Sequence, residues 1–563
     1  MIYHCEDHTC NYWDEGEKLP ERCPQCGRKL LRANEADMTG DDWTALGNTL
    51  WNAEASDKKR MVDCFRKAAY LGSAWGVCNL GICMEQGNGV EADPVQAFWL
   101  YQQAVEMGSL NAVCCLGVCY EYGIGTAPDA EKAAELYCKA AEYGSPRGQM
   151  LLARAFHDGI GVEADAAEAV HWVRAAAYQR YGEGMYRLGV CYEYGDGVEQ
   201  NWEHAVHWFR EAAESGVSAA MTYLGYCYEK GCGVEQSWEQ AFSWYRRGAE
   251  CGYPVSMSNL GLCYKRGYGV DQNWQEAVKW YEQGAQCGHL QSMNNLACCY
   301  ERGEGVEQNE ERALYWYRRG AEAGSDYCMY CLGWNYSNGV GVKQNMTEAI
   351  RWYTAAAEGG NADAMHDLGW LYDHGEGVEQ DMKKAICWYE RAAEQNHPAA
   401  MNSLGECYAM GRGVPRDLET AMEWYRRAAE LGEAMADYNM GWHLEQAGKL
   451  SEAYAHYRKA ADGNDDSAWW ALGRFYENGV VVAQDGKEAR RCYETGEKLG
   501  SVKCKMRLAR CKLLGIGGRR AKNAGLDLCR QALELAKESS EKEDYGYEAE
   551  MNLLRRTIAE NES

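Results

Sequence analysis

The stretch from Ala219 to Gly252, "AAMTYLGYCYEKGCGVEQSWEQAFSWYRRGAECG", is followed by two near copies of itself. They read "PVSMSNLGLCYKRGYGVDQNWQEAVKWYEQGAQCG" and "LQSMNNLACCYERGEGVEQNEERALYWYRRGAEAG". A Leu followed by Gly or Ala recurs every 36 residues from Leu80 to Leu404, and we call it the reference leucine of each repeat. Met440 and Leu472 are the reference residues of the next two repeats. Self-similarity at such a fixed period is typical of a chain built from one repeated supersecondary unit.

Each copy divides into two predicted helices. The first half has apolar residues at helical spacing and ends at a glycine. The "GxGV" segment that follows suits a turn, because glycine readily adopts a positive φ. The second half begins at a helix-capping residue such as Ser237 and carries "WY". One helix pair cannot bury its apolar faces alone, whereas stacked pairs can. The sequence therefore predicts an all-α fold, a right-handed α-solenoid superhelix of about thirteen antiparallel helix pairs.

The pattern "LG…Y…GxGV…A…WY…AA" resembles the Sel-one-like repeat family, a relative of the tetratricopeptide repeats, over roughly nine-tenths of the chain. The resemblance implies a scaffold or adaptor that binds other proteins, and it implies no enzymatic activity. We expect four segments: a zinc-ribbon-like module at 1–33, a linker at 34–42, the repeat solenoid at 43–514 and capping helices at 515–563.

Charge and composition exclude several classes of partner. The net charge is −26, with 84 acidic against 58 basic residues, which disfavours nucleic acid and anionic membrane surfaces. We see no apolar run long enough to span a membrane and no secretory signal. The 27 cysteines are therefore expected to be mostly reduced thiols of a cytoplasmic protein. Seven cysteines stand three positions after a reference leucine, and we expect them to be small buried residues: Cys83, Cys119, Cys191, Cys227, Cys263, Cys299 and Cys407.

A metal site is predicted in "CEDHTCNYWDEGEKLPERCPQCG", ahead of the repeats. Two cysteine pairs joined by a short spacer suit a tetrahedral thiolate site, and "CPQCG" resembles a zinc-ribbon knuckle. A segment of this size has little core, so a bound metal would supply folding energy. Structural zinc is the first candidate, with rubredoxin-like iron or free thiols as alternatives and with His8 or His4 as a replacement ligand. The predicted ligands are Cys5, Cys10, Cys23 and Cys26.

The resemblance to tetratricopeptide repeats also indicates which side chains face the groove: those two before, two after and five after the reference leucine. In the later repeats the first two positions hold large rings that stacking does not need, which is typical of interface anchors. These predicted partner-binding residues are Tyr330, Trp334, His366, Trp370, Tyr438, Trp442 and Trp470. The alternative is that a tight superhelix packs the rings against each other. The third position is mostly acidic, as in Glu85 and Glu229, and predicts either an acidic ladder or ordinary solvated helix ends.

We therefore expect a protein-interaction scaffold, not an enzyme, that binds a partner segment, with a basic one favoured by charge. A first alternative is a non-catalytic subunit of an enzyme or defence complex that docks through the zinc module. A second alternative is a hydrolase with an unrecognised site. Self-association stays open.

Overall fold

The computed structural model describes residues 2–5, 13–15, 30–33, 37–51, 55–542 and 547–562. The described residues form three β-strands followed by 29 α-helices. The chain divides into two compact units, residues 1–292 and 293–563, and each unit is described by itself. Among the described residues, no helix is both long and apolar enough to cross a membrane.

A small antiparallel sheet precedes the helices in the first unit. Its strands are β1 (Ile2–Cys5), β2 (Trp13–Glu15) and β3 (Leu30–Ala33), in the order β2-β1-β3. His4 pairs with Trp13 and Cys5 pairs with Leu30, so these four residues lie at one end of the sheet. The predicted N-terminal module therefore contains strands, in a chain whose other elements are helical.

The helices of the first unit are short and of nearly constant length. They are α1 (Gly40–Thr49), α2 (Ala55–Tyr70), α3 (Ala74–Gln86), α4 (Pro94–Glu106), α5 (Leu110–Tyr122), α6 (Ala130–Glu142), α7 (Pro146–Asp158), α8 (Ala166–Tyr178), α9 (Gly182–Tyr194), α10 (Trp202–Glu214), α11 (Ser218–Lys230), α12 (Trp238–Glu250), α13 (Pro254–Arg266) and α14 (Trp274–Gln286). The next helix, α15 (Leu290–Arg302), begins in this unit and ends in the second.

The second unit continues the same pattern and ends with two longer helices. Its helices are α16 (Glu310–Glu322), α17 (Asp326–Asn338), α18 (Met346–Glu358), α19 (Ala362–His374), α20 (Met382–Glu394), α21 (Pro398–Met410), α22 (Leu418–Glu430), α23 (Ala434–Gln446), α24 (Leu450–Asp462), α25 (Asp466–Asn478), α26 (Gly486–Lys498), α27 (Val502–Leu514), α28 (Lys522–Lys542) and α29 (Glu548–Glu562).

Odd-numbered and even-numbered helices pair in sequence order. The described residues contain fourteen such pairs, α1/α2 to α27/α28, where the sequence predicts about thirteen. In each unit the pairs stack side by side, which is the arrangement of an α-solenoid. The first helices of neighbouring pairs also contact each other directly, as α5 and α7 do in the first unit and α25 and α27 in the second. The first helices therefore share one face within each unit, while the right-handed superhelical turn stays a prediction.

The tyrosine of "WY" explains why glycine follows the reference leucine. Tyr245 of α12 is 1% exposed, and its ring lies against Gly225 of α11, so that a Cβ on Gly225 would lie 2.6 Å from Cε1 of the ring. No real Cβ tolerates so short a contact, and glycine is therefore required for this ring to approach the first helix. The same contact recurs in many other pairs: Gly81–Tyr101, Gly117–Tyr137, Gly261–Tyr281, Gly333–Tyr353, Gly369–Tyr389, Gly405–Tyr425 and Gly441–Tyr457.

The hydroxyl of the same tyrosine explains the acidic residue five positions after the leucine. Tyr245 donates to Oε2 of Glu229 at 2.9 Å, and burial, with the neighbouring Glu229 carboxylate, raises the pKa of Tyr245. The acidic ladder is therefore engaged with the second helices. This is neither a free acidic surface nor a set of solvated helix ends. The equivalent bonds are Tyr101–Glu85 (2.6 Å), Tyr137–Glu121 (2.6 Å), Tyr317–Glu301 (3.1 Å), Tyr457–Glu445 (2.7 Å) and Tyr493–Glu477 (2.8 Å).

Two consecutive repeats of the first unit, α7/α8 and α9/α10, lack the tyrosine of this arrangement. In α7/α8, Val173 replaces the tyrosine, Ala153 replaces the glycine and His157 replaces the glutamate. In α9/α10, Phe209 replaces the tyrosine and packs on Gly189 in the usual way. Its partner Glu193 is 6% exposed, and within the described residues its Oε2 atom has no hydrogen-bond partner. Burial raises the pKa of the Glu193 carboxyl above its ordinary value.

The "GxGV" segment is a tight connection between the two helices of a pair, as predicted. Gly231 and Gly233 have φ values of 73° and 69°. A Cβ on Gly233 would also collide with the carbonyl oxygen of Trp202, the first residue of α10, so the loop packs on the preceding repeat. The connection between α23 and α24 lacks this segment and has only three residues, 447–449. The Tyr457–Glu445 bond still forms there at 2.7 Å, because the shortening is confined to the loop.

The last helix covers the end of the second unit. α29 packs on α27 and α28. Its residue Glu550 is 6% exposed and accepts hydrogen bonds from Nε and Nη2 of Arg507 at 2.6 Å and 2.7 Å. A buried carboxylate needs such pairing to offset its lost hydration. This geometry is that of a capping helix.

We expect Gly225→Ala to destabilise the protein by about 1–3 kcal/mol, because the added methyl group overpacks the Tyr245 ring. Because alanine has a higher helix propensity than glycine, helix propensity alone would make the variant more stable. A loss of stability therefore indicates the steric contact with the ring. Ala297 stands at the same position in α15, and the Tyr317–Glu301 bond of that pair is the longest of its set, at 3.1 Å. The measurement is the shift in urea midpoint, with circular dichroism as the check on helicity; a more stable variant would contradict the contact.

We expect Phe209→Tyr to stabilise the protein by about 1 kcal/mol at neutral pH, because its hydroxyl supplies the donor that Glu193 lacks. The matched control, Tyr245→Phe, removes the same donor and should destabilise by a similar amount. Burial raises the pKa of Glu193 in the original chain, and the new hydrogen bond lowers it in the variant because the bond favours the charged carboxylate. The gain in stability therefore increases with pH between the folded-state pKa of Glu193 in the variant and that in the original chain. Thermal melting of both variants from pH 4 to pH 7 measures this; a gain that falls with rising pH would refute it.

Candidate partner-binding surface

The position two after the reference residue forms an exposed row on the first helices. In the second unit this row holds Trp334 of α17, Trp370 of α19 and Trp442 of α23, whose side chains are 41%, 39% and 38% exposed. Trp370 stacks on His374 of its own helix at a centroid distance of 4.3 Å. Among the described residues, none of the three indoles stacks on another. The rings therefore do not pack against each other as the alternative required.

The position two before the reference residue holds rings that are half buried behind this row. Tyr330 lies 5.8 Å from the Tyr353 ring, and Tyr438 lies 5.6 Å from the Tyr457 ring. His366 packs on Tyr389 at 5.8 Å. These rings pack on tyrosines of the second helices and are partly exposed. We refer to the six residues together as the aromatic surface: Tyr330, Trp334, His366, Trp370, Tyr438 and Trp442.

Trp470 has a different environment from the other six predicted residues. Its indole Nε1 donates to Oε1 of Glu550 in α29 at 3.2 Å. Arg474 and Lys503 lie over its ring at 4.6 Å and 5.2 Å from the centroid. The capping helix and these two cations already engage this tryptophan, so the aromatic surface does not include it.

The helices that carry the aromatic surface are acidic. Neither Lys nor Arg occurs in α17, α19, α21 or α23. Arginines lie within ion-pair distance of three of their acids: Arg412 of Asp373 (2.9 Å) and Glu406 (3.7 Å), and Arg474 of Glu445 (2.8 Å). Histidines lie beside Asp363, Asp367 and Asp437. The acidic residues of these four helices are Asp326, Asp363, Asp367, Asp373, Glu406, Asp437 and Glu445.

A cavity of about 480 Å³ adjoins the aromatic surface at Trp334. Its walls include the rings of Tyr327 and Tyr330, the carboxylates of Glu301 and Glu310, and one cation, Arg302. Each carboxylate accepts one bond within the protein, Glu301 from the Tyr317 hydroxyl at 3.1 Å and Glu310 from the amide of Gly341 at 2.9 Å. A carboxylate offers about four acceptor positions, so both retain capacity for a ligand.

The sequence prediction overlooked two members of the exposed row. Tyr226 of α11 and Leu262 of α13, in the first unit, occupy the position two after the reference leucine and are 39% and 38% exposed. Their repeat position identifies them, because it is the same position that Trp334, Trp370 and Trp442 occupy. The exposed row therefore carries large apolar side chains on α11 and α13 of the first unit as well as on α17, α19 and α23 of the second.

The predicted metal ligands are only partly within the described chain. Cys5 is the last residue of β1, and its side chain lies outside the described residues, as do Cys10, Cys23, Cys26 and His8. Among the side chains that the structure describes, no group of three or more His, Cys, Asp and Glu is arranged to hold a metal ion.

The cysteines of the described helices carry free thiols. The cysteines that stand three positions after a reference leucine are buried, as predicted, except for the partly exposed Cys191. Burial raises the pKa of Cys83 and Cys227 to about 11 and about 12, so these thiols are protonated and unreactive at neutral pH.

Comparisons with known proteins agree with this geometry. A family model described as Sel1 repeat matches residues 76–109, 112–145, 146–181, 182–217, 218–253, 254–289, 290–325, 326–361, 362–397, 398–433, 434–465 and 468–501. The crystal structure of a protective antigen from uropathogenic Escherichia coli strains, displaying an SLR fold, is similar with 29% identity and a TM-score of 0.55. That alignment covers 76% of this chain and 94% of the antigen.

A second crystal structure, of a Sel1 repeat protein from Oxalobacter formigenes, is 31% identical over 43% of this chain and 96% of its own, with a TM-score of 0.39. No curated relative matches the chain. The repeat matches extend through both units, and in both the helices pair around the same glycine and tyrosine. The chain therefore belongs to the Sel1 repeat family, whose members generally act as protein-interaction scaffolds.

Proposed function

We propose that the protein is an interaction scaffold whose aromatic surface binds a partner segment with basic and apolar side chains. One observation carries the proposal: three tryptophans at one repeat position are about two-fifths exposed on first helices that lack Lys and Arg. Tryptophan is enriched among residues that dominate binding energy. A repeat does not need it at this position, since most other repeats hold other residues there.

Charge selects the partner class. Four acids of these helices have no Lys or Arg within ion-pair distance in the described part of the chain: Asp326, Asp363, Asp367 and Asp437. They favour a segment with Lys or Arg, and complementary charge increases both specificity and association rate. The 480 Å³ cavity beside Trp334 suits one such side chain. Its tyrosine and tryptophan rings offer cation–π contacts, and Glu301 and Glu310 offer acceptors for an ammonium or guanidinium group.

The test uses a random peptide library and the full chain. We expect selected peptides to be enriched in Lys or Arg next to a large apolar residue. The Trp334→Ala, Trp370→Ala, Trp442→Ala variant should bind them more than about tenfold more weakly, because each truncation removes an anchor worth more than about 1 kcal/mol. The matched control is Tyr315→Ala on the second helix α16, where the ring is 53% exposed and lies off the aromatic surface.

Three results distinguish the outcomes. Weaker binding by the triple variant at unchanged helicity, with the control unaffected, supports the proposal. Equal loss in the control would mean nonspecific apolar binding and would contradict it. Selected peptides rich in Asp and Glu would refute the charge argument.

We also propose that the N-terminal module holds one structural zinc ion through Cys5, Cys10, Cys23 and Cys26. The strand register supports this, because Cys5, Trp13 and Leu30 lie at one end of the sheet. Along the chain, Cys10 precedes Trp13 by three residues and Cys26 precedes Leu30 by four. Short segments of chain therefore join Cys10 and Cys26 to the strand residues next to Cys5, and Cys23 precedes Cys26 by three residues. Four thiolates would complete a tetrahedral site with no open position for catalysis.

We expect purified protein to contain about one zinc per chain by elemental analysis, because four thiolate ligands bind this ion tightly. Cys23→Ser should lower the zinc content and increase proteolysis within residues 1–33, since metal binding supplies much of the folding energy of such a segment. Cys251→Ser, which changes an exposed cysteine of the repeats, is the control and should retain the metal. Iron in place of zinc would show that the site holds a different metal, and the absence of any metal would refute the site.

A further inference from the structure

The first unit contains a cavity of about 540 Å³ at the repeat that departs most from the pattern. Ala153 and His157 of α7 and Val173 of α8 all line it, and these are the replacements for the usual glycine, glutamate and tyrosine. Its other walls include Leu151, Val170 and Val190. The cavity therefore combines an apolar lining with a volume typical of small-ligand sites.

The neighbouring repeat shows what this space normally contains. In α5/α6 the ring of Tyr137 lies on Gly117, with a hypothetical Cβ 2.5 Å from Cε1, and its hydroxyl reaches Glu121 at 2.6 Å. Val173 is too short to span the same distance. The space between Ala153 and His157 that an aromatic side chain fills elsewhere is thus left for a ligand.

The charges at the cavity leave one cation without a carboxylate. Arg154 pairs with Glu121 at 2.5 Å, and Arg187 pairs with Glu183 at 2.9 Å. Arg147 donates to the Cys115 sulfur at 3.6 Å, and among the described residues no carboxylate lies within ion-pair distance of its guanidinium.

His157 is balanced by two acids. Its Nδ1 lies 2.7 Å from Asp158 and its Nε2 lies 3.2 Å from Asp196. The hydrogen bond to Asp158 is the main cause that raises the pKa of His157. Its charge is therefore satisfied within the protein, which leaves Arg147 as the group that attracts an anion.

We propose that this cavity binds an aromatic carboxylate, with the ring in the space of the missing tyrosine and the carboxylate on Arg147. Arginine suits this role because its fork of N–H donors matches a carboxylate. The ligand is either a small aromatic acid or a protein chain that ends in a free aromatic residue. This site is separate from the aromatic surface, since it lies in the other unit and uses none of the same residues.

The test measures binding of 3-(4-fluorophenyl)propionate to the full chain by fluorine NMR. We expect saturable binding that is at least tenfold weaker for Arg147→Gln. The triple variant Ala153→Gly, His157→Glu, Val173→Tyr restores the pattern of the neighbouring repeats and should abolish binding. Because it recreates a contact that the fold already uses, it should melt at the same temperature as the original chain or higher. Heptanoate, which carries the same charge without a ring, should bind at least tenfold more weakly.

Further arms identify the source of the ligand. A peptide with a free C-terminal Phe that binds more tightly than the small acid, while its amide does not, supports a protein C-terminus. The reverse order supports a small-molecule acid, and both results support the site. Binding that persists in the restored variant, equal binding of heptanoate, or no saturable binding to the original chain would overturn the proposal.

Discussion

The contact between a buried tyrosine ring and a glycine one helix away is the constraint on which the repeat depends. The glycine admits the ring, and the tyrosine hydroxyl then reaches a glutamate one turn farther along the first helix. Each helix pair is thereby aligned by one steric and one polar contact. The short connection between α23 and α24 shows that this contact, and not the loop, aligns the pair. The bond between Tyr457 and Glu445 persists there although the loop is shortened to residues 447–449 and lacks the "GxGV" segment.

Departures from this contact are local because each repeat contacts mainly its neighbours. Where only the hydroxyl is missing, at Phe209, the ring stays on Gly189 and a buried carboxylate loses its donor. Where the whole ring is missing, at Val173, a cavity opens while the flanking helices keep their lengths and spacing. A repeat protein can thus gain a binding site by a few substitutions without redesigning its core.

The sequence predicts the fold well because a 36-residue period averages local signals over many copies. Helix type, the position of the turns, the buried cysteines and the exposure of Trp334, Trp370 and Trp442 all follow from position within the repeat. The Tyr–Glu bond is harder to foresee, since it joins residues on different helices whose relative rotation periodicity does not specify. The predicted anchors come only from the later repeats, so they do not include Tyr226 and Leu262, which occupy the same repeat position in the first unit. The side chains of the predicted metal ligands lie outside the described residues, so the proposed zinc site rests on the sequence and the strand register.

The two proposed sites have opposite chemistry, and this follows from how repeats carry information. Packing restricts the residue type at the glycine and tyrosine positions, and hydrogen bonding restricts it at the helix caps, so these residues are nearly the same in every copy. The positions on the first-helix face are free of that constraint and can differ from one repeat to the next. In α17 to α23 they carry indoles among acids, which favours basic segments, while in α7 and α9 they carry arginines around an apolar void, which favours an acid with a ring. A single architecture can therefore hold chemically different ligands, because the residues that build it are not the residues that select them.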